Sequence, residues 1–170
     1  AGQYSASIGT LGLRSYLAEL DARYPGGNTS PDPILLSEML SQLVKNHIEY
    51  VAIEASSHGL DQYRLDGVRF QAAAFTNLTR DHLDYHSSME AYFEAKSRLF
   101  LELDSSSNAA VINMDDEYGV RLAAQCKKAG RRVVGYGSAG EQIRLKSVAT
   151  TAQGLAMDVC WDGVDYALEP

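Results

Sequence analysis

Three polar clusters interrupt the apolar runs of this chain: Glu54-Ala-Ser56-Ser57-His58-Gly59, Thr76-Asn77-Leu-Thr-Arg-Asp81-His82-Leu-Asp84-Tyr-His86, and Asn113-Met-Asp115-Asp116-Glu117. A carboxylate and an imidazole at neighbouring strand ends can share a divalent cation, with water filling the remaining positions. Glu54 and His82 are the pair that could do so. Each also has a plainer reading, Glu54 as a turn cap and His82 as a satisfied loop histidine. Ser56-Ser57-His58 raises a nucleophilic serine, but Gly-x-Ser-x-Gly is absent and no strand–elbow–helix pattern surrounds either serine. Hydrogen bonding to a ligand or to backbone is therefore expected of the serines, and His58 is read as a turn residue or as one that supports the ligand-contacting residues. Lys96, with Ala91, Ala95 and Leu99 on the apolar side of its helix, reads by itself as a snorkelling lysine. Gly-x4-Gly-Lys-Ser/Thr occurs nowhere, so the residues alone support no nucleotide chemistry.

The elements that would position these clusters follow from periodicity. Residues 5–10 have a short strand pattern, and residues 11–32, aperiodic around Pro25-Gly-Gly-Asn28, read as a long loop. Asp32-Pro33 opens a helix in which Leu35, Leu36, Met39, Leu40 and Leu43 recur at helical spacing. Residues 50–54, 72–76, 109–113 and 132–136 read as short buried strands. A helix opened by a capping box of Ser87 with Glu90 runs to about Leu101, and another spans 115–129 before Gly130. This alternation predicts an α/β fold with a doubly wound, mainly parallel sheet, whose ligands bind beyond the strand C-termini. After Gly140 the pattern changes to strands 143–150, 154–161 and 164–168, with an Asp-Gly hairpin signal at Asp162-Gly163. A small antiparallel annex is expected at 141–170.

At residues 54–100 the sequence becomes specific. Glu54-Ala-Ser-Ser-His-Gly-Leu-Asp-Gln62-Tyr-Arg64, then Phe75-Thr-Asn-Leu-Thr-Arg-Asp-His-Leu-Asp-Tyr-His86, then Ala95-Lys96-x-x-Leu-Phe100 stand in an order and spacing that resembles the Mur ligases. More narrowly, they resemble the branch that adds the third peptide residue. Asn28-Thr29-Ser30 and Asn113-Met-Asp-Asp-Glu-Tyr-Gly119 fit the same template, so the resemblance covers essentially all of residues 1–170, weakest after Gly140. It implies a central ATP-binding domain. The implied reaction uses ATP to phosphorylate the D-glutamate carboxylate of UDP-MurNAc-L-Ala-D-Glu; a diamino acid, diaminopimelate or L-lysine, then attacks the acyl phosphate.

By that resemblance Glu54, His82 and Lys96 are the catalytic set. Glu54 and His82 would be Mg2+ ligands, and Lys96 a lysine that is carbamylated to serve a second Mg2+. Carbamylation needs the neutral amine, so a partly buried Lys96 with a depressed pKa is expected. Asn28, Thr29, Ser30, Ser56, Gln62 and Arg64 would hold the UDP-MurNAc-dipeptide, with Arg64 suited to an anionic group. Asn77, Asp81 and His86 would orient the metal and phosphate ligands. The phosphate loop, the ribose- and adenine-contacting segment and the C-terminal domain of the family are not found in these residues. The expectation is a central domain cut at both ends, inactive by itself, from a monomeric parent.

Bulk properties fit this reading. With 170 residues, 45% hydrophobic and a net charge of −7, the chain suits one globular domain and not a nucleic-acid partner. Cys126 and Cys160 sit far apart with no metal-ligand spacing, so a reducing cytoplasm is expected. No run of 18 apolar residues is present, and no membrane insertion is expected. The competing readings are another Mur-type or folylpolyglutamate ligase, a metal-dependent hydrolase built on Glu54, His82, Asp84 and His86, and a non-catalytic nucleotide-sugar-binding relic.

Overall fold

The computed structural model describes residues 4–80, 83–101 and 109–170. It divides into two compact units, residues 1–68 with 94–96, and residues 69–93 with 97–170. The expected strand and helix alternation is present, but its strands belong to two sheets rather than one.

In the first unit, strand β1 (Ser5–Gly9) lies between β2 (Gly12–Arg14), antiparallel to it, and β3 (Tyr50–Ile53), parallel to it. β2 and helix α1 (Ala18–Arg23) fall in the stretch read from sequence as a loop. Both are too short to show a period. They are held instead by tertiary contacts: Leu13, Leu20 and Tyr24 are buried, and the Leu13 amide donates to the Tyr24 carbonyl at 3.0 Å. Helix α2 (Pro33–Lys45) begins as expected, with the Asp32 carboxylate accepting the Ile34 and Leu35 amides. Its Leu36, Met39 and Leu43 face the core with Ile8 and Leu13. A short helix α3 (Ser57–Asp61) follows β3, capped by Ser56.

The second unit holds the six-stranded sheet, in the order β4 (Ala72–Phe75), β5 (Ala109–Asn113), β6 (Val133–Gly137), β7 (Ile143–Thr150), β8 (Leu155–Trp161), β9 (Val164–Leu168). Pairings from β4 to β7 are parallel, and those from β7 to β9 antiparallel. The antiparallel annex therefore continues the parallel sheet through β6 and β7. Asp162 (φ 47°) and Gly163 (φ 84°) make the β8–β9 turn with two left-handed residues, the geometry an Asp-Gly pair favours.

Helix α4 (Met89–Leu101) starts one residue later than the expected capping box would place it. Ser88, not Ser87, caps it by accepting the Ala91 amide at 3.1 Å. Glu90 instead meets Arg121 of helix α5 (Glu117–Lys128). Phe75, Phe93, Ile112, Leu122 and Cys126 form the second unit's core.

Candidate functional site

The first unit gathers one set of candidates around the ends of β1 and β3. Parallel pairing sets Ile8 opposite Ile53, and the Glu54 amide donates to the Ile8 carbonyl at 2.8 Å, so Gly9-Thr10 and Glu54 leave the sheet side by side. The Glu54 Oε2 accepts from both the amide and the hydroxyl of Thr10, each at 3.1 Å. Hydrogen bonds to an ionised carboxylate are stronger than neutral–neutral ones, so the two Thr10 donors fix its orientation. Gly9 allows the approach: a Cβ there would lie 2.7 Å from Glu54 Oε2. Thr10 Oγ1 also meets Thr29 Oγ1 at 2.9 Å. A cavity of about 380 Å³ opens beside these residues, lined among others by Ser7, Gly9, Thr10, Arg14 and Glu54.

Ser30 ties the rest together. It is 1% exposed, and its hydroxyl donates to the Glu54 carbonyl at 3.1 Å while accepting the Ser56 amide at 2.9 Å and the Ser56 hydroxyl at 3.1 Å. Ser56 in turn accepts the Gly59 amide at 3.0 Å. Both hydroxyls are thus committed to shaping the loop after β3, which supports the hydrogen-bonding reading of Ser56 over a nucleophilic one. Arg64 Nη1 donates to the Ser30 carbonyl at 2.9 Å, and its Nε donates to Gln62 Oε1 at 3.0 Å. Of the expected dipeptide-binding residues, Thr29, Ser30, Ser56, Gln62 and Arg64 therefore form one network. Asn28 is exposed beside it.

Lys96 is half-buried and belongs to this same unit. Burial pushes its ammonium below the usual lysine range, and the Glu54 carboxylate partly opposes that shift. The depressed pKa expected of Lys96 is present.

The other candidates lie in the second unit. Asn77 is exposed after β4. His86 is buried, stacked on Tyr92 with ring centroids 5.0 Å apart. Asp81 and His82 lie outside the described residues. The third polar cluster joins the second here, because β4 and β5 are neighbours: Asn113 Nδ2 donates to the Thr76 carbonyl at 2.7 Å. Asp116 caps α5 through the Gly119 amide and also accepts the Leu78 amide. Asp115 accepts the Ala139 and Ser138 amides at 2.8 and 2.7 Å, which hold its carboxyl below the ordinary range.

Sequence reasoning missed Thr10. The only signal was its place directly after Gly9 at the end of a strand, which carries no chemistry until the parallel register sets it beside Glu54. Among the described residues, no three His, Cys, Asp or Glu side chains form a metal cluster. The donor set at Glu54 is nevertheless of the hard-oxygen kind that suits Mg2+, which takes one or two carboxylates and completes its shell with water and substrate phosphate.

The Mur ligase middle domain family matches residues 2–169. The UDP-N-acetylmuramoyl-L-alanyl-D-glutamate–2,6-diaminopimelate ligase of Bradyrhizobium diazoefficiens is 46% identical over 171 residues, covering 98% of this chain and 34% of that protein. The ligase of the same description from Chromobacterium violaceum is 43% identical over 166 residues, covering 96% of this chain and 32% of that protein. The chain thus spans about a third of the length of the curated relatives it matches. A solved structure of a ligase of that description superposes with a TM-score of 0.80 at 30% identity, over 97% of this chain and 33% of that one. The Mycobacterium tuberculosis folylpolyglutamate synthase shares the fold, with a TM-score of 0.68 at 13% identity, over 96% of this chain and 42% of that one. With the family pattern matched almost end to end, the chain belongs to the Mur ligase middle domain family.

Proposed function

We propose that this chain carries the dipeptide- and metal-facing part of an ATP-dependent ligase that joins a diamino acid to UDP-MurNAc-L-Ala-D-Glu. In the reaction, a D-glutamate carboxylate oxygen takes the terminal phosphoryl group of ATP, releasing ADP. The amine of the diamino acid then attacks the acyl carbon, phosphate leaves, and an amide bond forms. Diaminopimelate is favoured over lysine, because relatives named as diaminopimelate ligases match at 40–46% identity. The reaction would take place in the cytoplasm. No helix among the described residues is long and apolar enough to cross a membrane.

One observation carries the reading: Glu54, fixed by Thr10, shares a unit with a half-buried Lys96 of lowered proton affinity. Glu54 and, outside the described residues, His82 would hold Mg2+. Bound there, the metal supplies charge neutralisation for the transferring phosphoryl group. The neutral amine of Lys96 is the form that attacks CO₂, losing a proton to become a carbamate, a carboxylate-like ligand where an ammonium would repel the cation. Thr29, Ser30, Ser56, Gln62 and Arg64, with Asn28, would position the dipeptide, while Asn77, Asp81 and His86 would orient the metal and phosphate ligands.

The test is ATP- and Mg2+-dependent phosphate release by the full-length protein that carries this chain, given UDP-MurNAc-L-Ala-D-Glu and diaminopimelate. Turnover that requires all three substrates supports the ligase. Binding of the nucleotide sugar without turnover would support the relic instead.

A further inference from the structure

We infer that Thr10 is a positioning residue that couples the metal-facing carboxylate of Glu54 to the dipeptide-binding loop at Thr29; this rests on the ligase reading above. Thr10 Oγ1 lies 3.1 Å from Glu54 Oε2 and 2.9 Å from Thr29 Oγ1. A hydroxyl has one proton, and a carboxylate only accepts. Thr10 therefore gives its proton to Glu54, and Thr29 must give its own to Thr10.

The chain runs one way, from Thr29 through Thr10 to Glu54. Two consequences follow. The Thr29 hydroxyl turns lone pairs, not a proton, towards a ligand, so it receives an N–H or O–H of the substrate and does not donate to a substrate carboxylate or phosphate. A substrate group donating to Thr29 also polarises its O–H, strengthening the bonds along the chain towards Glu54. Dipeptide binding and the orientation of Glu54 are thereby linked. The Thr10 amide, on the same oxygen at 3.1 Å, keeps the carboxylate near its place when the hydroxyl is lost, so removal of the hydroxyl tunes the site without dismantling it.

The experiment is a double-mutant cycle in the full-length protein with Thr10→Val, Thr29→Val and the pair, and Thr10→Ser as the conservative control. Without ligand, the urea unfolding midpoints of the two single variants should fail to add in the pair, because both break one chain. With substrates, Thr10→Val should raise the Mg2+ concentration for half-maximal rate by about tenfold, the lower end of what a hydrogen bond to a charged group controls. Thr10→Ser should stay within about twofold of wild type. The dipeptide affinity of Thr29→Val, titrated without ATP, should fall by a factor that shrinks in the Thr10→Val background.

Additive unfolding midpoints, or a Thr10→Val variant with unchanged Mg2+ dependence, would overturn the coupling. Non-additive unfolding midpoints in the cycle, together with a wild type that turns over neither diaminopimelate nor lysine, would instead overturn the ligase reading.

Discussion

Glu54 opposes the surroundings of Lys96: burial drives the Lys96 ammonium towards its neutral form, and the Glu54 carboxylate holds part of the charge in place. An unmodified ammonium of this kind is a cost to the fold at neutral pH. The folded chain holds Lys96 below its ordinary 10.5. Between the folded value and 10.5 the unfolded state binds more protons, so the Lys96 contribution to stability improves as pH rises through that window. Lys96→Met should remove this pH dependence of stability while abolishing turnover, and urea titrations at pH 7 and 10 check the difference. In Glu54→Gln, lysine-selective NMR titration should find the Lys96 midpoint lower still.

The space at Gly9 is reserved for Glu54. Gly9→Ala sets a methyl 2.7 Å from Glu54 Oε2 and 3.1 Å from Glu54 Cβ, so the carboxylate must swing away. We expect turnover to drop by about a hundredfold, a loss of roughly 2.7 kcal/mol of transition-state stabilisation, with a melting temperature within a few degrees of wild type. A fold-wide collapse would show instead that the glycine serves packing alone.

Ser30 is a buried three-way junction, so its loss leaves donors without partners. Ser30→Ala should destabilise by about 2 kcal/mol, since the Ser56 amide and hydroxyl lose their acceptor in the interior. Chemical denaturation measures it. Gly59→Ala should do comparable harm, because its Cβ would stand 2.4 Å from the Ser30 Cβ.

Arg64 spans two acceptors that a lysine cannot reach together. Its fork touches the Ser30 carbonyl and Gln62 Oε1 at once. Arg64→Lys should weaken UDP-MurNAc-dipeptide binding by about tenfold with a smaller effect on kcat, seen by titration calorimetry against steady-state rates.

In the second unit, Asp115 fastens the turn after β6 through the Ser138 and Ala139 amides. Its folded pKa lies below the ordinary 3.8, so this contribution is present above that value and is lost as pH falls through the folded one. Gly137→Ala attacks the same turn: its φ is +116° and its Cβ would lie 2.6 Å from Asp115 Oδ2. Amide exchange at Ser138 and Ala139 should quicken in this variant.

The parts of the fold that were legible in sequence are those with long, regular signals. Asp32-Pro33 with its leucine repeat defines α2, and the apolar runs at 50–53, 72–75 and 109–113 are strands. What escaped depended on distant partners. Leu13, Leu20 and Tyr24 make β2 and α1 from a stretch with no period. Ser88 takes the cap because the α4 register starts one residue on, releasing Glu90 to Arg121. At the site, the motif around Glu54, Gln62 and Arg64 announced itself through family spacing. Thr10 did not, since only the β1–β3 register brings it to Glu54.

The most direct test compares wild type with Lys96→Ala in ATP- and Mg2+-dependent phosphate release by the full-length protein. It uses UDP-MurNAc-L-Ala-D-Glu with diaminopimelate or lysine, with and without a short-chain carboxylate. A ligase that relies on carbamylated Lys96 turns over with diaminopimelate, loses that turnover in Lys96→Ala and regains part of it with the added carboxylate. Turnover that survives Lys96→Ala unchanged, or a wild type inert with both amino acids, would contradict this reading.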